Sequence, residues 1–336
     1  MSVLLPIDSG RSAAWSYPVL ADARAAHATC RDVTLDLDRL AQVADWMQFE
    51  TFPAVEPDPP APGDSGPTRE AQIDFTLVTG AINFAYTDFD TRVPWSIEVA
   101  GRELIDADAM FVRFEQAIAA GIPALEGAWL AEVTPATLGE ILHGPRPIPM
   151  LAERAAVLRA VGRVLVDHYS GRFHAFVDDC PPRLYADGAG MLERLTREFS
   201  AYDDASVLHG RTVRIDKLAQ LAAWMLHHRG LVRFDDIDAL SAFADYIVPA
   251  ALRAMGVLRY SPPLAEAVDE GTLLPAGSAW ENEIRVQTVY ACGLLTDALN
   301  ARRPDTPLIV PQIDFRLWSA FHDRIRPHHL TKTTAY

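Results

Sequence analysis

Apolar residues recur every three to four positions along most of the chain, and that period predicts helices rather than strands. Thr34 precedes a stretch in which Leu35, Leu40, Val43 and Trp46 share one face, the pattern of a capped amphipathic helix. Residues 70–86 read as a mostly buried helix with polar Asn83 near its end. Residues 106–120 form another that Gly121 stops, and Thr134-Pro135 supplies a cap and first-turn proline for a helix reaching Gly144. Over 150–169, Leu151, Ala155, Leu158, Val161 and Leu165 make one stripe. The same period continues through 191–199, 212–228, 236–244, 246–255, 280–299 and 308–322. Only residues 95–105 alternate apolar and polar, around Ala100-Gly101, which predicts one hairpin. The Pro- and Gly-rich stretch 53–69 can be neither helix nor ladder and is expected as a surface loop. The expected fold class is therefore all-α. It is a single helical domain over 1–336, open to two lobes about a central cleft, with at most one small β-hairpin.

The chemistry concentrates in residues 204–256. A helix is expected to end near Leu208, turn through His209-Gly210-Arg211 and restart at Thr212, with Lys217 in its second turn. Such a restart exposes backbone N–H groups and a positive dipole end beside Arg211 and Thr212, a seat for a phosphate. Lys217 flanks an apolar face next to Leu221 and Trp224; the plain role is a stem laid along apolar surface with its head in water. Asp245 follows Phe243 and precedes the 246–255 helix, so it is either an N-cap or a carboxylate set in an apolar pocket, and one residue can be both. Asp314 lies in the apolar run IVPQIDFRLW, where a lone acid needs either a protein donor or the N–H groups of a ligand. Asp235-Asp236 is expected to open a helix, and Glu281, Glu283 and Arg285 to form a buried ion pair between helices. Phe49, Phe84, Tyr86 and Trp318 are residues more often found in a core than stacking on a ligand.

The totals narrow the partners. A net charge of -15 with no run of Lys and Arg argues against a chain that wraps nucleic acid, while leaving room for a small anionic ligand. Cys30, Cys180 and Cys292 are isolated and odd in number, which fits a reducing, cytoplasmic setting without disulfides or zinc. The adjacent pairs His227-His228 and His328-His329 make poor metal ligands, so no metal is expected. The first residues carry no basic leader pattern, and no apolar run approaches the length of a membrane span.

Six ordered blocks resemble one family, the queuosine salvage proteins or queuosine 5'-phosphate N-glycosylase/hydrolases. They are INFAY (82–86), PIPMLAERAAVL (147–158), GRTVRIDKLAQL (210–221), SAFADYIVP (241–249), ENEIRVQTVYAC (281–292) and IDFRLW (313–318). Asp216, Leu218 and Ile247 replace the tyrosine and two arginines usual in these blocks. The resemblance implies an all-α fold similar to helix-hairpin-helix DNA glycosylases. It also implies hydrolysis of the N-glycosidic bond of queuosine 5'-monophosphate, giving queuine and ribose 5-phosphate. Carried over by position, Asp245 is the catalytic carboxylate and Lys217 its neighbour, while Phe49, Phe84, Phe243 and Asp314 line the base pocket. Asn83 and Trp318, from two of the blocks, join the substrate-binding set with Arg211 and Thr212. The reaction calls for no cofactor, and the partner is a small-molecule nucleotide, with neither a stable nucleic-acid complex nor a membrane. The competing readings are a helix-hairpin-helix glycosylase acting on nucleic acid and a helical protein that binds a nucleobase or nucleotide without turnover.

Overall fold

Fourteen α-helices and four two-stranded sheets make up the described residues of the computed structural model, 12–56, 66–322, 324 and 327–336. The centre of the expected loop 53–69, residues 57–65, lies outside the described residues. Where the periodic signal was long, the helix is there. Leu151–His168 buries Ala155, Leu158, Val161 and Leu165, and Pro135–Ile141 opens with a reciprocal cap between Thr134 and Thr137. Ser96–Val99 pairs antiparallel with Arg102–Ile105, the turn being made by Ala100 and Gly101, both at positive φ.

Four expectations need correcting. The first helix is capped by Asp36, which accepts from the Arg39 N–H, because Thr34 is spent in a short strand, Val33–Leu35, paired with Leu258–Tyr260. The helix after Arg69 ends at Gly80, and residues 81–86 form a turn instead of its last coils. A second hairpin, Ala205–Leu208 with Arg211–Arg214, replaces the expected helix–turn–helix. His209 and Gly210 take φ values of 48° and 82°, the two left-handed residues of a tight hairpin turn, and the following helix starts only at Lys217. Finally, 236–244 holds a single 3-10 turn, Ile237–Ala239, and then runs on without regular secondary structure.

The chain divides into two compact units, one of Met1–Glu56, Asp204–Gln220 and Asp236–Thr331, the other of Pro57–Asp203, Leu221–Asp235 and Lys332–Tyr336. The first unit is built on the long helix Ala279–Asn300, whose apolar side packs Val289, Cys292 and Leu295 into the core. Its other side is polar yet buried, and its polar groups reach other segments of the chain. Glu283 accepts from the N–H groups of Arg31, Asp32 and Val33 at 2.9, 2.6 and 3.0 Å and from His209 Nε2 at 2.9 Å. Asn282 donates to the Val207 carbonyl, and Gln287 donates to the carbonyls of His27 and Val33. Glu283 and Arg285 therefore do not pair with one another as expected; they tie different strands of chain to one helix. In the second unit, Leu151–His168 approaches Gly127–Glu132 so closely that a Cβ on Gly162 would sit 2.3 Å from the Ala131 nitrogen. A ring cluster of Tyr169, Phe173, Phe176 and Phe199 fills the core beside it.

Candidate active site

The irregular stretch Ser241–Ala244 is buried, so its backbone groups need partners from outside any helix or sheet. Three side chains supply them in sequence. Gln220 Oε1 accepts from the Ser241 N–H at 2.8 Å while its Nε2 donates to the Ile215 carbonyl at 2.8 Å and reaches the Ala242 carbonyl at 3.4 Å. Asp314 Oδ2 accepts from the Phe243 N–H at 2.8 Å. Arg285 Nε donates to the Ala244 carbonyl at 3.1 Å. The next residue is Asp245, whose Oδ1 accepts from the N–H groups of Ile247 at 2.8 Å and Val248 at 3.0 Å, capping the helix Ile247–Ala254. Asp245 thus stands one residue before the N-cap, Tyr246, yet satisfies the first two helical N–H groups, and it is only 7% exposed.

Lys217 opens the helix Lys217–His228, and its main-chain N–H donates to Asp204 Oδ2 at 3.2 Å. The same Asp204 carboxylate is gripped by both terminal nitrogens of Arg285, at 2.8 and 2.5 Å. The Lys217 side chain is 6% exposed, far from the solvated head expected of a surface lysine. Burial lowers the proton affinity of its amine, and the carboxylate of Asp245 is the chief influence opposing that fall. Burial raises the Asp245 carboxyl above its ordinary range, while Lys217, the two N–H groups and more weakly His322 pull it back down. Asp314 is pushed up to about 8, first by burial and then by the charge of Asp245, with the Phe243 N–H and Lys217 in opposition.

These groups form one electrostatic unit. Lys217 and Arg285 bring two positive charges against three carboxyls, Asp204, Asp245 and Asp314, and a buried cluster settles by leaving one acid protonated. Asp204 has the bidentate arginine and Asp245 has the lysine with two N–H donors. The proton stays on Asp314. Two carboxyls and an amine that feel one another's charge in a buried setting can stabilise a developing cation and also hydrogen-bond a polar ring edge.

The remaining expected residues fall in different places. Phe243 is buried next to Asp314, and Trp318 lies one helical turn beyond Asp314 with its ring 4.3 Å from the His322 imidazole. Phe49 is 84% exposed, in the turn after the helix Leu37–Met47. Arg211 and Thr212 are exposed strand residues, so no helix N-terminus exists there to seat a phosphate, contrary to expectation. The hairpin forms instead because Gly210 and His209 turn the chain tightly and Val213 is buried in the core.

Asn83 and Phe84 belong to the second unit, in the turn 81–86. Asn83 Oδ1 accepts from the Tyr86 hydroxyl at 3.0 Å. The turn is organised by Arg154, fully buried, whose guanidinium donates to the carbonyls of Ile82, Phe84 and Ala85 and lies 4.5 Å from the Phe84 ring centre. Sequence reasoning missed Arg154, Gln220 and Asp204, because nothing in their spacing shows that they serve distant backbone. Among the described residues no cluster of three or more His, Cys, Asp or Glu could hold a metal, and no helix is long and apolar enough to cross a membrane.

Fold and cluster define a helical protein with a buried acid–ammonium centre. The model of the queuosine salvage protein family matches residues 64–336. The chain is 32% identical over 314 residues to a queuosine 5'-phosphate N-glycosylase/hydrolase of Sphaerobacter thermophilus, covering 90% of this chain and 93% of that one. A protein of the same name from Schizosaccharomyces pombe is 29% identical over 300 residues, 84% of this chain and 81% of its own. A third, from Bos taurus, is 27% identical over 241 residues, 69% of each. The chain belongs to the queuosine salvage protein family.

Proposed function

We propose that this chain hydrolyses the N-glycosidic bond of queuosine 5'-monophosphate, releasing queuine and ribose 5-phosphate. The reading takes its substrate from the names of the relatives. One observation carries its chemistry: a buried carboxylate, Asp245, fixed by two backbone N–H groups and electrostatically opposed by a buried lysine. Breaking a ribosyl–base bond builds positive charge at the anomeric carbon, and an ionised carboxylate facing it lowers the barrier. The same carboxylate orients the attacking water and takes its proton. Lys217 keeps Asp245 ionised in surroundings that would otherwise neutralise it.

Phe243 and Trp318 provide rings for a planar base, with Phe49 a further ring on the solvent side. A protonated Asp314 both donates and accepts, which matches a base edge where a carbonyl lies beside an N–H. The mostly helical architecture fits the kinship with helix-hairpin-helix glycosylases that the resemblance implies. The net charge of -15 favours a free nucleotide over a nucleic-acid strand.

The test is incubation with queuosine 5'-monophosphate, queuosine and ordinary nucleotides, with free base followed by chromatography. The monophosphate should be cleaved best, since binding energy at the phosphate helps position the reacting bond. Asp245→Asn should slow release by roughly 10²–10⁴-fold with an unchanged melting temperature. Full activity in that variant, or tight binding of the monophosphate without any base release by the unaltered protein, refutes the reading.

A further inference from the structure

We propose that Arg285 is the positioning residue of this centre, a single guanidinium that sets the backbone on both sides of the acid–ammonium pair. The proposal rests on Asp245 being the catalytic carboxylate and Lys217 the ammonium that keeps it ionised.

Three of its bonds go to groups adjoining one of the two. Nε holds the carbonyl of Ala244, the residue before Asp245, at 3.1 Å. Nη1 and Nη2 hold the two oxygens of Asp204 at 2.8 and 2.5 Å, and Asp204 Oδ2 accepts from the main-chain N–H of Lys217 at 3.2 Å. An arginine serving only to neutralise an acid would need no bond to Ala244. One serving only to satisfy a carbonyl would need no bidentate acid.

The linkage is stiff. A guanidinium is planar, so fixing two nitrogens on Asp204 also fixes the direction of the third toward Ala244. Arg285 and Asp204 are 2% and 8% exposed, so water does not compete for these bonds. Arg285 itself projects from the 22-residue helix Ala279–Asn300, the most extensively buried element of its unit, which gives the fork a firm base. Misplacement of a reacting group by about 1 Å costs on the order of 10²-fold in rate. A residue that holds the backbone beneath two such groups therefore acts on turnover more than on ligand affinity. Its charge has a second effect, since the guanidinium helps to lower the proton affinity of the Lys217 amine.

The two effects separate by substitution. Arg285→Lys keeps the charge and loses the fork; kcat for queuosine 5'-monophosphate should fall roughly 10–100-fold. KM and queuine affinity should change by no more than about threefold, and the pH profile should keep its position. Arg285→Gln removes the charge as well, and the alkaline limb of the profile should move upward as Lys217 holds its proton more firmly. Arg285→Met with Asp204→Asn deletes both charges of the pair, a change buried pairs commonly tolerate, and guards against loss of the fold. This double variant should melt within about 4 °C of the unaltered protein, the cost of one unpaired buried carbonyl, and still show the drop in kcat, because Ala244 has lost its donor.

Arg285→Lys or the folded double variant retaining kcat within threefold overturns the proposal. So does a fall in kcat matched by equal losses of queuine affinity and melting temperature. If the unaltered protein releases no queuine at all, the functional reading fails instead, and the two failures are distinguished.

Discussion

Asp314→Asn tests the protonation pattern of the buried cluster through stability alone. With its carboxyl pushed up to about 8 from the ordinary 3.8, folded Asp314 keeps its proton between those two values, whereas the unfolded chain releases it. The folded state then binds one proton more than the unfolded state. Stability consequently falls as pH rises through this window, by about 1.4 kcal/mol per pH unit, and levels off above the folded value. From pH 5 to pH 7 the contribution is a loss of about 3 kcal/mol. With an unfolding entropy of about 2.1 cal/mol/K per residue, that is about 4 °C in Tm for a chain of this size melting in one transition. Asparagine cannot lose a proton, its carbonyl can still accept from the Phe243 N–H, and its neighbours see the same neutral group they see in the unaltered protein. Every other titrating group, Asp245 and Lys217 included, therefore cancels in the comparison. The assay is circular-dichroism melting of both proteins at pH 5, 6 and 7, reading how much more Tm the unaltered protein loses. Parallel curves would show that Asp314 is ionised at neutral pH, and the assignment of the cluster's one proton to it would fail. A companion result is expected in turnover: the alkaline decline of the unaltered protein should carry one component from Asp314 ionising next to Asp245 and one from Lys217 losing its proton, and Asp314→Asn should remove only the first.

Gly162→Ala should destabilise the second unit by about 1–3 kcal/mol, because its Cβ would meet the Ala131 nitrogen at 2.3 Å and the Gly127 oxygen at 2.7 Å, backbone that cannot swing aside. A melting temperature equal to that of the unaltered protein would mean that the two helices have room for a methyl group between them. Arg154→Lys should leave some of the Ile82, Phe84 and Ala85 carbonyls without donors. Amide exchange over 81–86 should then quicken at least tenfold, while exchange in Ala279–Asn300 stays as it was. Unchanged exchange in the turn would show that its order comes from elsewhere.

How far the chain could be read without its structure depended on whether a residue's partner was local. Helices such as Leu151–His168 and Pro135–Ile141 announce themselves, since their caps and stripes are relations between residues three or four apart. The stretch 205–214 misled for an equally local reason. Ile215, Leu218, Ala222 and Met225 are spaced as one helix face, which suggested a start at Thr212, but left-handed His209 and Gly210 make a hairpin turn, and left-handed Asp216 separates the second strand from Lys217. A histidine and an aspartate at positive φ are uncommon enough that no pattern of polarity would have placed them there. The irregular run 240–244 was invisible for the opposite reason: its sequence is apolar enough for a helix, and what holds it open is a glutamine, an aspartate and an arginine from three distant parts of the chain.

The site itself was half legible for the same reason. Asp245 stood out because family blocks and helix capping both marked it, yet neither could say whether it would be wet or dry. The dry answer follows from the backbone before it. A carboxylate at the end of an ordinary helix or loop would be solvated, whereas in this chain the approach is a buried irregular segment whose polar groups are met one after another by Gln220, Asp314 and Arg285. Asp314 and Arg285 also carry charge, or its counterpart proton, so the side chains that hold the segment are the ones that set the electrostatics around Asp245 and Lys217. Removing any of them for the sake of stability would alter the site, and removing any for the sake of the site would leave buried backbone without partners. Structural and chemical roles are thus joined in the same few atoms: the protein donor that Asp314 was expected to need is the Phe243 N–H, on the backbone that leads to Asp245.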